Sequence, residues 1–116
     1  MKETDIQHDV QLAASRAGAR LFRNNVGLFR SWVGDRKVRC GLCPGSADLI
    51  GWRSVKITAD MVGKTIAQFV SCEVKKPKKN EEKPQENWRA TVTIAGGCAF
   101  VARSVKDLLT ALRGDL

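Results

Sequence analysis

Three residues in the middle of the chain are of the types that metal-assisted phosphate chemistry uses. Asp48 follows a Pro-Gly turn in "CPGSADLIG", and Glu73 and Lys75 stand two positions apart in "VSCEVKK". Side chains at i and i+2 of a strand leave on the same face, so Glu73 and Lys75 are expected to point the same way. Two carboxylates at one point would bind a divalent cation such as Mg²⁺, and an ammonium beside them would orient a water or stabilise charge on a phosphate.

Each of these signals also has a plain structural explanation. A glutamate and a lysine two residues apart are typical of a solvated strand face with a modest ion pair, and an aspartate after a turn often caps that turn. Position along the chain favours the chemical interpretation, because Asp48 opens one strand while Glu73 and Lys75 end the next. If those two strands pair antiparallel, the three side chains converge at one edge of the sheet.

Hydrophobic periodicity predicts the elements that would hold this site. Residues 85–97 are ambiguous, because their β-branched residues favour a strand, but Trp88, Val92 and Ala95 repeat at helical spacing and two glycines follow, so we predict a helix. The stretch 24–46 is long, basic and glycine-containing, with room for a short hairpin. The other predicted elements are a helix over 4–17, strands over 20–24 and 47–52, a strand ending near Lys76, a strand over 98–104 and a capped helix over 104–114.

These elements predict an α/β fold. We expect one small domain over residues 1–116, with a central mixed β-sheet flanked by helices.

Charge narrows the class of partner. The 116 residues carry 20 Lys and Arg against 12 Asp and Glu, a net charge of +8. So basic a small domain favours polyanions, nucleic acid first and acidic membranes second. No apolar run approaches the roughly 20 residues that span a bilayer, and the first ten residues lack the apolar core of a signal peptide, so we expect a cytoplasmic protein.

The cysteines are not expected to bind zinc. Cys40 and Cys43 form a C-x-x-C that would supply half of a zinc site, but Cys72 and Cys98 are isolated and the only histidine is His8. In a reducing compartment we expect free thiols.

The arrangement D…E-x-K resembles the PD-(D/E)XK nuclease superfamily and, within it, the VRR-NUC (virus-type replication-repair nuclease) domain. The resemblance extends over nearly the whole chain, although Ala47 stands where the superfamily name has proline and the C-x-x-C is not part of the pattern. The matching residues, in chain order, are Glu3 and Gln7 in the first helix, Gly45, Asp48 and Leu49 in G-x-x-D-L, Glu73, Val74 and Lys75 in E-V-K, and Gln85 at the start of the next helix.

The resemblance implies a restriction-endonuclease-like core and a DNA endonuclease dependent on Mg²⁺ or Mn²⁺. It implies metal binding by Asp48, Glu73 and the backbone carbonyl of Val74, with Gln7 and Gly45 in supporting positions. It also implies a homodimer that cuts branched DNA, a four-way junction above all, in a bacterial or phage-infected cell; nicking, flap and restriction-type cleavage stay open. The implied catalytic residues are Glu3, Asp48, Glu73, Lys75 and Gln85.

Basic residues bracket the site in sequence and are expected to contact DNA phosphates. Phe29 and Trp32 would stack on an unpaired base or pack in a dimer interface. The alternative from a different class is a basic nucleic-acid-binding module without catalysis. The expected DNA contacts are Arg20, Arg23, Arg30, Arg36, Lys37, Arg39, Lys76, Lys78 and Lys79.

Overall fold

A computed structural model describes residues 2–30, 34 and 36–113 of the chain. These residues form two compact units, Met1–Arg53 and Ser54–Leu116, and each is described by itself.

The first unit is a helix followed by two strand pairs. α1 packs on β1, where the side chain of Gln11 donates to the carbonyl of Leu21 at 3.0 Å. β1 pairs antiparallel with β4, and β2 pairs antiparallel with β3 in the hairpin for which the long basic stretch has room. The elements are α1 Glu3–Arg16, β1 Ala19–Arg23, β2 Gly27–Arg30, β3 Lys37–Cys40 and β4 Leu49–Arg53.

The second unit is a strand–helix–strand crossover with a further helix. A 3₁₀ turn at Ala59–Met61 precedes the first of its strands, and the two strands run parallel, as a helical crossover requires. The elements are β5 Val70–Val74, α2 Lys83–Ala95, β6 Cys98–Ala102 and α3 Val105–Leu112.

The two helices of this unit cover opposite faces of the β5–β6 pair. Ser71 and Glu73 of β5 both accept hydrogen bonds from α2, which places them on the α2 face. On the other face Phe100 and Ala102 form the core with Ala111 of α3. Alternation along β5 therefore directs Glu73 toward α2.

Residues 83–95 form the helix that we predicted for this ambiguous segment. Val92, with 1% of its surface exposed, is the most deeply buried large side chain among the described residues. Gly96 ends the helix at φ +101°, which a side chain would disfavour. A Cβ on Gly97 would lie 2.7 Å from Val92 Cγ1 and 3.1 Å from the carbonyl of Phe69. Gly96 thus ends α2, and the absence of a side chain on Gly97 lets β6 begin close to α2.

The α/β class is confirmed, but the strands pair differently from our expectation. In place of one central mixed sheet, the described residues contain three two-stranded sheets. The strand that follows Asp48 has β1 as its antiparallel partner, and the strand that carries Glu73 has β6 as its parallel partner. The antiparallel pairing of those two strands with each other is not among the pairings of the described residues. The β5–α2–β6 crossover accounts for the second pairing, because a helix-linked strand pair is parallel.

Candidate active site and nucleic-acid interface

Glu73, Lys75 and Gln85 come together in the second unit. The amide Nε2 of Gln85 donates to Oε1 of Glu73 at 2.8 Å. The ammonium of Lys75 lies 3.9 Å from the same oxygen. Gln85 and Lys75 therefore both lie beside the carboxylate of Glu73, which brings together three of the five catalytic residues implied by the resemblance.

The start of α2 fixes which way the Gln85 amide faces. Gln85 is the third residue of the helix, and its Oε1 accepts from the backbone N–H of Glu82, the N-cap, at 2.8 Å. This is one half of a capping box, in which the third helical residue reaches back to the cap. Because the carbonyl oxygen is used at the cap, the NH₂ group is the part that faces Glu73.

Lys75 is held in an unusual environment for a lysine. Its side chain is only 12% exposed, whereas that of Glu73 is 41% exposed, and the 3.9 Å separation is wider than a hydrogen bond. Its backbone N–H donates to the carbonyl of Ala102 at 3.1 Å, which extends the β5–β6 pairing by one residue. A lysine side chain so largely covered is uncommon, because a charged group is costly to bury unless it is paired.

A cleft of about 270 Å³ opens beside this carboxylate, between β5, β6 and α2. On its wall Arg89 makes two hydrogen bonds to Oε1 of Glu81, of 2.6 and 3.0 Å. The pKa of Glu81 is lowered mainly by that hydrogen bond from Arg89, with smaller contributions from the charges of Arg89, Arg103 and Lys75. The cleft is lined by Ser71, Glu73, Glu81, Pro84, Gln85, Trp88, Arg89, Ala99 and Phe100.

Asp48 lies in the first unit, exposed, one residue before β4. Its backbone carbonyl accepts from the N–H of Asn24 at 2.8 Å. The side chain of Asn24 donates to Ser46 Oγ at 2.7 Å and to the carbonyl of Ala47 at 2.8 Å, and accepts from the N–H of Leu42 at 2.9 Å. Asn24 thus holds both ends of the loop that leads into Asp48.

Sequence reasoning missed Asn24. It is the one buried polar residue among those described, at 8% exposure. The available signal was an asparagine at the end of a predicted strand, which is also where an ordinary turn would begin. Gly45 has φ +86° in a turn closed by the N–H of Ser46 on the carbonyl of Cys43, so its supporting position is a turn in the same loop.

Glu3 and Gln7 also belong to the first unit. Glu3 is the exposed first residue of α1, and Gln7 is half-buried one turn later. The resemblance-implied residues are therefore divided, with Glu3, Gln7, Gly45 and Asp48 in one unit and Glu73, Lys75 and Gln85 in the other.

The donor chemistry around Glu73 fits a hard cation. Within the described ranges no three or more His, Cys, Asp or Glu side chains are grouped as a ready-made metal site. Mg²⁺ does not require such a group, since it commonly takes one or two carboxylates and fills its shell with water and phosphate oxygens.

The Lys75 N–H and the Phe69 carbonyl both bond toward β6, so the Val74 carbonyl is directed to the opposite edge of β5.

The β2–β3 hairpin has one basic and one apolar face. Arg30 lies directly opposite Lys37, and Arg39 lies opposite Leu28, so the three cations share a face. Phe29 and Val38 are opposite each other on the second face, and each is about half exposed. The pair Arg30–Lys37 places like charges directly opposite one another, an arrangement that by itself weakens a strand pair.

The other expected DNA contacts are exposed. Trp32 and its neighbour Val33 lie outside the described residues, so their expected stacking or packing is not described. The exposed cations are Arg20 and Arg23 on β1, Arg36 before β3, and Lys76, Lys78 and Lys79 in the loop after β5.

The C-x-x-C spans the end of β3 and the loop after it. Cys40 is half-buried, with Sγ 3.9 Å from the carbonyl of Val38, and Cys43 is exposed. The prediction that these thiols do not hold zinc stays a prediction.

Comparison with known proteins gives no relative. No family model, no curated protein and no solved structure matches the chain. Within the part of the chain that the structure describes, no helix has the length and apolarity to cross a membrane.

Proposed function

We propose that the protein is a metal-dependent DNA endonuclease with a restriction-endonuclease-like core of the PD-(D/E)XK kind, similar to a VRR-NUC domain. The observation that carries the proposal is the Glu73 carboxylate, held at Oε1 by Gln85 and flanked by Lys75 on the same strand face. An ordinary surface ion pair would need neither a helix-capping glutamine nor a largely covered lysine.

Each residue has a distinct role in this proposal. Glu73 and the Val74 carbonyl would hold Mg²⁺ or Mn²⁺, and the resemblance assigns the role of a second carboxylate to Asp48 of the first unit. When bound there, the cation would supply polarisation of the phosphodiester and a lowered pKa for a coordinated water. Lys75 orients the attacking water and neutralises charge on the phosphate, while Gln85 keeps the Glu73 carboxylate in one orientation.

Binding would rest on the basic surfaces. The three cations of the hairpin face and the lysines after β5 match the spaced negative charge of a nucleic-acid backbone. We propose branched DNA as the substrate, a four-way junction first. Two opposed cuts in a junction need two sites, and a homodimer with a two-fold axis supplies them.

The test is a cleavage assay with purified protein. A labelled four-way junction, flap, duplex and single strand are each incubated with Mg²⁺, with Mn²⁺ and with EDTA. We expect metal-dependent cleavage that EDTA abolishes, with the junction cut fastest. Tight, salt-sensitive binding without cleavage under any metal would instead support the non-catalytic binding module.

The dimer is tested separately. Phe29, 48% exposed, and Val38, 46% exposed, lie opposite each other on the apolar face of the hairpin and offer surface for a self-complementary contact, whereas Leu28 lies on the cationic face. Sedimentation at micromolar concentration measures the mass, with a dimer expected. A monomer that still makes paired, symmetric cuts in a junction would contradict the two-site argument.

A further inference from the structure

The loop that follows Lys75 contains a tight turn with an unusual residue in it. The turns at 43–46, 61–64 and 76–79 are each closed by a hydrogen bond from the N–H of the fourth residue to the carbonyl of the first. The third residue has positive φ in all three: Gly45 at +86°, Gly63 at +85° and Lys78 at +71°. Turns of this geometry favour glycine at that position, because a Cβ is disfavoured at positive φ.

Lys78 therefore departs from the preference for glycine at this turn position. Within the described residues it is the one non-glycine residue at positive φ. Glycine would serve the backbone better, as it does in the other two turns, so the backbone does not explain the lysine. What the lysine adds is charge, since Lys76, Lys78 and Lys79 place three cations in four residues around Pro77.

The loop is fixed rather than free, although its sequence is that of a charged, proline-bounded linker. Arg103 Nη2 donates to the carbonyl of Lys79 at 2.8 Å. Arg89 donates twice to Oε1 of Glu81, whose side chain is 13% exposed. The pairing of Lys75 with β6 thus fixes the chain where it leaves β5. Arg103 fixes it again at Lys79, the last residue of the turn, and Arg89 fixes it at Glu81, just beyond the turn.

One helix face connects this loop to the candidate site. Arg89 follows Gln85 by four residues on α2, so the two side chains are neighbours on the same face. Arg89 holds the loop through Glu81, and Gln85 holds the carboxylate of Glu73. A displacement of α2 would therefore shift both the loop and Glu73.

We infer that the turn Lys76–Lys79 is a preformed binding site for a nucleic-acid phosphate, and that the Glu81–Arg89 pair is the latch that positions it. The inference rests on the proposed function and names the contact that seats the strand next to Glu73 and Lys75. A preordered turn loses less conformational entropy on binding than a mobile lysine tail, which gives the latch its effect on affinity.

The first test measures the direction in which DNA affinity changes, because the latch and simple electrostatics predict opposite directions. Glu81→Gln removes a negative charge, and long-range electrostatics alone would tighten DNA binding. The latch predicts weaker binding, by several-fold, because a neutral amide accepts the hydrogen bonds of Arg89 less strongly than a carboxylate does, so the loop is held less firmly. Glu86→Gln is the matched control: Glu86 is an exposed glutamate of α2, 3.9 Å from Lys83, and its change should leave affinity equal or slightly tighter.

The second test separates backbone strain from charge. Lys78→Gly should leave the melting temperature unchanged or higher, because glycine suits the positive φ. It should weaken binding and make the slope of log affinity against log salt shallower by about one. Lys78→Arg should retain the affinity, because it keeps the charge.

Binding is measured by fluorescence anisotropy on labelled duplex and junction DNA at several salt concentrations. Tighter binding by Glu81→Gln than by the unaltered protein, or unaltered affinity in Lys78→Gly, would overturn the inference alone. Failure of the unaltered protein to bind any of these DNAs would overturn the inference together with the proposed function. The double variant Glu81→Arg/Arg89→Glu, which reverses the latch, should recover part of the affinity lost in Glu81→Gln.

Discussion

The amide of Gln85 donates to the carboxylate of Glu73 at 2.8 Å while its carbonyl oxygen accepts from the N-cap of α2. The two bonds connect the start of a helix to a side chain in the middle of a strand. The orientation of Glu73 therefore depends on how α2 begins, and a residue that a sequence pattern would assign to capping also has a place at the candidate site.

Replacement of Gln85 should impair cleavage at limiting metal. Gln85→Leu keeps the bulk of the side chain and removes both hydrogen bonds, so Glu73 gains rotational freedom. Loss of a partner that orients a ligand typically costs about 10- to 100-fold in metal affinity or activity. The measurement is cleavage rate against Mg²⁺ concentration.

Gln68→Leu is the matched control for that experiment. Gln68 is an exposed glutamine of the same unit, and its Nε2 donates to the carbonyl of Gly96 at 3.0 Å, at the other end of α2. It should retain the metal dependence of the unaltered protein. An equal loss in both variants would assign the effect to the helix rather than to Glu73.

Asn24 should be a stability determinant of the first unit. Asn24→Ala removes three side-chain hydrogen bonds at a buried position, two of them to the backbone of Leu42 and Ala47 and one to the hydroxyl of Ser46, with an expected loss of about 1–3 kcal/mol in the free energy of unfolding. The exposed neighbour Asn25 supplies the control, since Asn25→Ala should stay within about 0.5 kcal/mol of the unaltered protein. Urea denaturation measures both, and indistinguishable midpoints would contradict the role of Asn24 in holding the loop before Asp48.

The elements of the fold were largely accessible from periodicity. α1, α2 and α3 begin and end within a few residues of the predicted bounds, and Gly96 ends α2 as its sequence signals. The strand expected to end near Lys76 is shorter, because the preceding stretch contains a 3₁₀ turn and a glycine turn at Gly63. Helix ends and turns depend on residues that are close together in the chain, so they can be predicted from the sequence.

Pairing and long-range contacts were not accessible in the same way. Nothing near Asp48 in the sequence indicates that β1 is the partner of its strand, because a strand's hydrophobic pattern does not specify its neighbour. The Glu81–Arg89 pair and the Asn24 contacts join residues 8 to 24 positions apart. Arg89 did carry a signal that could have been used, since it lies one turn after Gln85 on the side of α2 that faces the strands.

Acid should remove the contribution of the Glu81–Arg89 pair. The hydrogen bond from Arg89 holds the pKa of Glu81 below the usual value of 4.5. A carboxyl whose pKa is lowered by folding stabilises the protein above its unfolded pKa, and that stabilisation is lost as pH falls through the lowered value. Thermal unfolding of the unaltered protein and of Glu81→Gln should therefore differ near neutral pH, and the two should converge as pH falls through the lowered pKa of Glu81. A difference independent of pH would mean that the ionised pair is not its source.

DNA binding should weaken steeply as salt rises. A protein with net charge +8 that contacts several phosphates releases several counterions, so log affinity falls linearly with log salt concentration. Charge removal on the hairpin face, in Lys37→Ala/Arg39→Ala, should make that slope shallower by about two. A flat salt response in the unaltered protein would exclude phosphate contacts as the main source of affinity.

The proposed roles of Glu73 and Lys75 in metal-dependent phosphodiester cleavage are tested by single-turnover cleavage with Lys75→Ala and Glu73→Gln, with DNA affinity measured in parallel. We expect the cleavage rate of each variant to fall by at least about 10²-fold at saturating Mg²⁺ or Mn²⁺, with affinity retained because binding rests on many phosphate contacts. Cleavage at the unaltered rate in either variant, at matched protein and metal concentrations, would contradict these roles.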